Sequence, residues 1–124
     1  MPKILIVDDE AHIRLLLEQT LEDLEEKNVE IFCAEDGKKA LDLISKHMPE
    51  LIFLDVMMPE LNGYDVCKIV KKNPEYKNTY VIMLTAKGQE MDRTRGLDCG
   101  ANEYITKPFD PDEILKAATV ILKL

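Results

Sequence analysis

The chain has 124 residues, 46% of them hydrophobic and 32% charged, a balance that suits one globular domain and leaves too little chain for two. At this length folding buries roughly two-thirds of the surface the unfolded chain exposes, so a core forms without staples. Lys and Arg total 16 against 24 Asp and Glu, a formal net charge of −8 that repels phosphate backbones and anionic membranes and speaks against direct nucleic-acid binding. Cys33, Cys67 and Cys99 are widely spaced with no C-x-x-C pair. They read as buried reduced thiols, with neither a disulfide framework nor a zinc site. The apolar run 4–7 is too short for a signal peptide or a membrane span, so the expected location is cytoplasmic.

Along the chain, short apolar runs alternate with amphipathic stretches. Residues 4–7 form a continuous apolar run ending in acids, as a buried strand of a parallel sheet does. Ile13, Leu16, Leu17, Thr20, Leu21 and Leu24 then recur as one helical stripe, with Leu15 off it. Residues 29–34 make a second strand, and Asp36 caps a second helix with Ala40, Leu41 and Ile44 inward. A third strand spans 51–54, and Gly63 opens a third helix with Val66, Cys67 and Val70 inward, stopping before Pro74. A fourth strand spans 80–84. The stretch 89–99 carries Gly96 inside and little apolar periodicity, and an interior Gly costs roughly 1 kcal/mol, so this predicted fourth helix is expected to be the least stable element. A short fifth strand spans 103–106. Asp110-Pro111-Asp112-Glu113 then starts a last helix whose buried face is Ile114, Leu115, Ala118, Ile121 and Leu122. Five βα units predict a doubly wound parallel sheet with helices on both faces, and chemistry at the carboxyl ends of the strands.

Those ends carry polar residues: Asp8 and Asp9 after strand one, Asp55 after strand three, Thr85 after strand four and Lys107 after strand five. Singly, each has an ordinary role: a helix cap for Asp8 or Asp9, a turn for Asp55 and Thr85, a solvated charge for Lys107. Jointly they project onto one rim. Like charges about 4–5 Å apart repel by roughly 3–4 kcal/mol at an effective dielectric of about 20, so either one carboxyl is protonated or a divalent cation neutralises the group. All-oxygen ligation favours Mg²⁺, and the spacing of a calcium loop is absent. A metal-held carboxylate flanked by a lysine and a hydroxyl has the parts for phosphoryl transfer onto Asp. Neither a P-loop nor a G-x-G-x-x-G follows strand one.

Asp8-Asp9-Glu10, Asp55-Val56-Met57-Met58-Pro59 with Asn62-Gly63, Leu84-Thr85-Ala86, and Gly100-Ala101 through Thr106-Lys107-Pro108-Phe109 occur in this order over the full length. Together they resemble the receiver domain of two-component response regulators. The resemblance implies a single receiver domain over 1–124 with a flavodoxin-like α/β fold: a five-stranded parallel sheet of order 2-1-3-4-5 with five helices. It implies Asp55 as phosphoacceptor, and Mg²⁺ (or Mn²⁺) held by Asp8, Asp9, Asp55 and the backbone carbonyl of Met57. Lys107 would contact the phosphoryl group, with a cis bond to Pro108. Thr85 and Tyr104 would form the switch pair, and the soft stretch 89–99 suits an element with two packings of similar energy. Tyr104 also has an ordinary reading as a core aromatic. Met57 and Lys87 would border the phosphoryl group and slow its hydrolysis, unless both face solvent.

The partners implied are a sensor histidine kinase or phosphotransfer protein and a downstream output domain or target protein. Ile13, Leu16 and Pro108 are the docking residues, with Leu15 a further candidate; core packing is the ordinary reading for Leu16. The expected state is a monomer or a weak phosphorylation-dependent dimer. The dimer used by receivers joined to winged-helix domains is in doubt, because Asn102-Glu103 replaces an acidic pair and the last helix offers Lys116 and Lys123 but no Arg. The chain ends within the last helix, which suits a single-domain regulator or an excised segment. Its output is then DNA binding, cyclic-dinucleotide synthesis, a kinase or a protein contact. The competing readings are a haloacid-dehalogenase-type phosphohydrolase, which needs a second acid where Met57 stands; a flavodoxin-like electron carrier, which needs a hydroxyl-rich loop where Asp8-Asp9-Glu10 stands; and a degenerate receiver that only binds.

Overall fold

The computed structural model describes residues 1–86 and 99–124. Five parallel strands, β1 (Lys3–Val7), β2 (Glu30–Ala34), β3 (Leu51–Asp55), β4 (Tyr80–Ala86) and β5 (Glu103–Lys107), form one sheet in the order β2-β1-β3-β4-β5. The described helices are α1 (Ala11–Leu21), α2 (Gly37–His47), α3 (Gly63–Lys72) and α4 (Pro111–Ile121), with 3-10 turns at Glu22–Lys27 and Pro74–Tyr76. Four α-helices are therefore described where the sequence predicts five. The predicted helix over 89–99 lies, apart from Cys99, outside the described residues.

The interior strands are apolar on both faces because helices cover both. Leu5, Val7, Ile52, Leu54, Val81 and Met83 point to α2 and α3, where they meet Ala40, Ile44, Val66, Cys67 and Val70. The alternate residues Ile4, Ile6, Leu51, Phe53, Ile82 and Leu84 point the other way, onto Leu17 and Leu21 of α1 and Ile114 and Ala118 of α4. This two-sided burial is what the unbroken apolar runs of the sequence encode.

The starts of α2, α3 and α4 follow from their caps, whereas α1 begins after Glu10 with no side-chain cap. The Asp36 carboxylate accepts from the Lys39 N–H (2.8 Å). Asn62 and Asp65 form a reciprocal capping box at α3. Asp110 accepts from the Asp112 N–H, with Pro111 in the first position of α4. The stripe of α1 is narrower than the sequence suggests. Leu17 and Leu21 are buried, and Leu24 reaches the core from the 3-10 turn. Leu16 is 38% exposed, so its core reading is corrected: it sits about 100° around the helix from Leu17 and falls on the stripe's flank. The three thiols are unpaired by disulfides, but Cys33 is half-buried rather than buried.

Candidate functional site

The register brings distant residues to one rim. Val7 pairs with Leu54, so Asp8, the next residue, stands level with Asp55. Asp55 pairs with Leu84 of β4, and Ala86 pairs with Lys107 of β5. There the Lys107 ammonium donates to Asp8 Oδ2 at 2.8 Å and to Asp55 Oδ1 at 3.1 Å. Asp8 is fully buried and Asp55 is 4% exposed, so these ion pairs are largely withdrawn from water. The second oxygen of Asp8 accepts from the Glu10 N–H (2.9 Å), and its backbone carbonyl accepts from Arg14 Nη1 (2.7 Å).

Burial and the neighbouring charge of Asp8 push the Asp55 carboxyl up from 3.8 to about 6, against the pull of Lys107. On Lys107 burial works against the charge, but the hydrogen bond to Asp8 and the field of both carboxylates outweigh it and raise its pKa. One ammonium therefore serves two acids and leaves the rim under-neutralised. Asp8, Asp9 and Glu10 each bring a carboxylate oxygen within 4.8 Å of the others. Such an oxygen-only donor set, partly exposed at Asp9 and Glu10, fits a hard divalent cation.

The other expected residues divide. Thr85 is half-buried near the end of β4, one step beyond the partner of Asp55. Tyr104, on β5, is 36% exposed, so it is not a core aromatic, and its hydroxyl lies 4.0 Å from Cys99 Sγ. Met57 is 60% exposed beside the site, which answers its orientation: the thioether stands in solvent. Lys87 lies outside the described residues. The Lys107–Pro108 peptide is cis. Ile13 is half-buried while Leu15, Leu16 and Pro108 are exposed, all four near this end of the molecule.

Glu10, Arg14 and Gly63 carry more of the site than sequence reasoning assigned them. Glu10 adjoins the acidic pair, which was the available signal. Arg14 gave none, because its reach to the Asp8 carbonyl depends on the rotational phase of α1. Gly63 N–H donates to the Val56 carbonyl (3.0 Å), folding the loop 56–62 back under β3. A Cβ at Gly63 would overlap the Asp55 carbonyl oxygen and come within 2.9 Å of Val56 Cα, so only glycine permits that approach.

Residues 4–119 match the response regulator receiver domain family. The chain belongs to it. This receiver domain is 42% identical over 121 residues to a Guillardia theta protein named probable transcriptional regulator ycf27, covering 98% of this chain and 45% of that one. It is 46% identical over 112 residues to its namesake from Porphyra purpurea, covering 90% and 44%. The receiver domain thus spans less than half the length of these relatives. Among solved structures it is similar to the Vibrio cholerae chemotaxis protein CheY4, at 34% identity and a TM-score of 0.86 over 98% of each chain. The signal receiver domain of a DNA-binding response regulator from Colwellia psychrerythraea superposes with a TM-score of 0.90 at 27% identity over all of both chains. Among the described residues, no helix is long and apolar enough to cross a membrane.

Proposed function

We propose that residues 1–124 act as one phosphorylation switch with Asp55 as its acceptor. A carboxylate oxygen of Asp55 attacks the phosphorus of a phosphohistidine on a sensor kinase or phosphotransfer protein, or of a small acyl phosphate. The phosphorus–nitrogen or phosphorus–oxygen bond of the donor breaks, the donor leaves with the bonding pair, and an aspartyl phosphate remains. Lys107 stays paired with Asp8 while meeting the new phosphoryl charge, and Thr85 donates its hydroxyl to a phosphoryl oxygen. Asp8, Asp9, Asp55 and the Met57 carbonyl would hold Mg²⁺, with Mn²⁺ as a substitute; the ion offsets charge on the phosphoryl oxygens.

The observation that carries this reading is the Lys107 ammonium bridging Asp8 and Asp55, residues 99 and 52 positions away in the chain. It pre-positions a cation at the nucleophile, which an inert surface cluster does not need. Tyr104, on β5 with its hydroxyl 4.0 Å from Cys99 Sγ, turns inward when Thr85 moves toward the phosphoryl oxygen. That motion alters the face formed by the predicted helix over 89–99, β5 and α4, and passes the signal to a downstream target or output domain. Ile13, Leu16 and Pro108 serve as the kinase-docking edge, and Lys87 slows the loss of phosphate, whereas Met57, with its thioether in solvent, offers no such hindrance. The chain works as a signalling module in the cytoplasm, as a monomer or a weak phosphorylation-dependent dimer, and does not bind nucleic acid through these residues.

Incubation with acetyl phosphate and Mg²⁺ tests the proposal by intact mass. A gain of about 80 Da is expected in the parent, absent from Asp55→Asn and abolished by EDTA. No gain would end the reading. Continuous turnover of the donor at enzyme-like rates would establish instead a small Mg²⁺-dependent phosphohydrolase using an Asp nucleophile.

A further inference from the structure

Asp9 differs from Asp8 and Asp55 in how it is held. It is exposed, and among the described residues its carboxylate makes no hydrogen bond and no ion pair. Its direction is therefore set by the two peptides that flank it. The peptide after it is pinned by Asp8, whose Oδ1 accepts from the Glu10 N–H at 2.9 Å. The peptide before it is pinned by Arg14, whose Nη1 donates to the Asp8 carbonyl at 2.7 Å. Pairing of β1 ends at Val7 on both sides, so that carbonyl lies past the last rung of the sheet, on a fully buried residue. A buried carbonyl in that position needs a donor, and α1 supplies it from its side.

Charge pairing does not explain where Arg14 lies. Asp8, Asp9 and Glu10 bring carboxylate oxygens within 4.8 Å of one another just ahead of α1. Among the described residues Arg14 nevertheless forms no ion pair, and its guanidinium bonds to the main chain instead. The cation also reaches back over the N-terminal end of α1, where the helix dipole disfavours positive charge. That end has no side-chain cap, and the Glu10 carbonyl accepts from the Arg14 N–H at 3.1 Å. Arg14 thus grips the turn 8–10 twice, through its backbone at Glu10 and through its side chain at Asp8.

We propose that Arg14 is a positioning residue for metal binding: by holding the Asp8–Asp9 peptide it fixes the direction in which Asp9 presents its carboxylate to Mg²⁺. The inference rests on the reading of the rim as a phosphorylation site with Asp9 among its ligands. Two opposing effects give it a sign. As a cation beside the rim, Arg14 repels Mg²⁺, so its field alone makes a neutral variant the tighter binder. As the group that holds the peptide next to a ligand, it makes the parent the tighter binder. The second effect is the larger, because Arg14 is half-buried and its field is partly screened by water and salt, whereas its hydrogen bond acts on the backbone directly.

The whole chain is titrated with magnesium chloride at constant ionic strength, and the Kd is read from amide chemical shifts. Arg14→Met keeps the aliphatic stem and removes charge and donors; it should bind Mg²⁺ roughly tenfold more weakly than the parent. Arg14→Lys keeps the charge and a shorter-reaching donor, and should fall between the two. Without any metal, hydrogen exchange at the Glu10 amide should be faster in Arg14→Met than in the parent, while the amides of Leu5 and Phe53 keep their protection. Unchanged or tighter Mg²⁺ binding by Arg14→Met, or equal exchange at Glu10, would overturn the proposal, and tighter binding would show that Arg14 acts through its field. A parent that binds no Mg²⁺ would overturn the reading of the rim itself and this inference with it, which keeps the two failures apart. If Arg14→Met does not fold, Arg14→Gln takes its place in both measurements.

Discussion

At Asp55, burial and the Asp8 charge disfavour the ionised form that a nucleophile needs, and Lys107 only partly offsets them. The folded pKa, about 6, lies above the ordinary 3.8, so the fold prefers the protonated acid. Stability from this residue is present below pH 3.8 and is lost as pH rises through about 6. Metal-free Asp55→Asn should therefore be more stable than the parent by about 1–3 kcal/mol at pH 7.5, the gap closing as pH falls toward 4, in urea melts at a series of pH values. A gap independent of pH would refute this. Lys107→Ala makes the opposite case. It leaves Asp8 and Asp55 facing each other without their shared cation, and at neutral pH it should destabilise the metal-free chain by roughly 3 kcal/mol while suppressing phosphorylation. Lys107→Arg, too broad for the same bridge, should recover stability better than it recovers phosphorylation.

Elements transmit these demands. The start of α3 presses against the strand end that carries Asp55, and Gly63 is what lets the two backbones touch. Gly63→Ala should cost about 1–3 kcal/mol by denaturant unfolding and should also slow Asp55 phosphorylation, because the carbonyl being pushed belongs to the acceptor itself. Asp36→Ala, which removes the cap of α2 away from the rim, should cost about 1 kcal/mol and leave phosphorylation unchanged. Equal effects of the two substitutions on phosphorylation would show that stability alone, and not the local contact, governs the site. The outward flank of α1 follows the same logic. With Leu17 and Leu21 satisfying the core, Leu15 and Leu16 stay at the surface, where removing them should weaken kinase recognition far more than folding.

For the whole molecule, an excess of eight negative charges and a rim where one ammonium serves two buried acids make cation binding a stabilising event. A ligand that binds only the folded chain adds about 2.7 kcal/mol at about a hundredfold excess over its Kd. Thermal melts with rising Mg²⁺ should thus show a Tm that climbs by several degrees, and Asp9→Asn should flatten the climb. An equal rise in the variant would mean that the ion screens net charge without occupying the rim.

How much of this was legible depends on the range of the interaction involved. Strand runs, caps and the stripe of α2 are local patterns, and they predicted the five strands and the starts of α2, α3 and α4 to within a residue or two. Asp8, Asp9, Asp55, Thr85 and Lys107 were legible as strand-end residues, because an apolar run that stops at a charge marks where the sheet meets water. The exposure of Leu16, the reach of Arg14 to the Asp8 carbonyl and the overlap that demands glycine at 63 were not. Each depends on the phase of a helix about its axis or on the spacing of two backbones from different parts of the chain. Sequence alone determined which residues would line the rim and why the sheet is buried on both faces, since those follow from local hydrophobic order. Tertiary structure alone decided which atoms touch, since contact distances are set by the packing of all the layers at once.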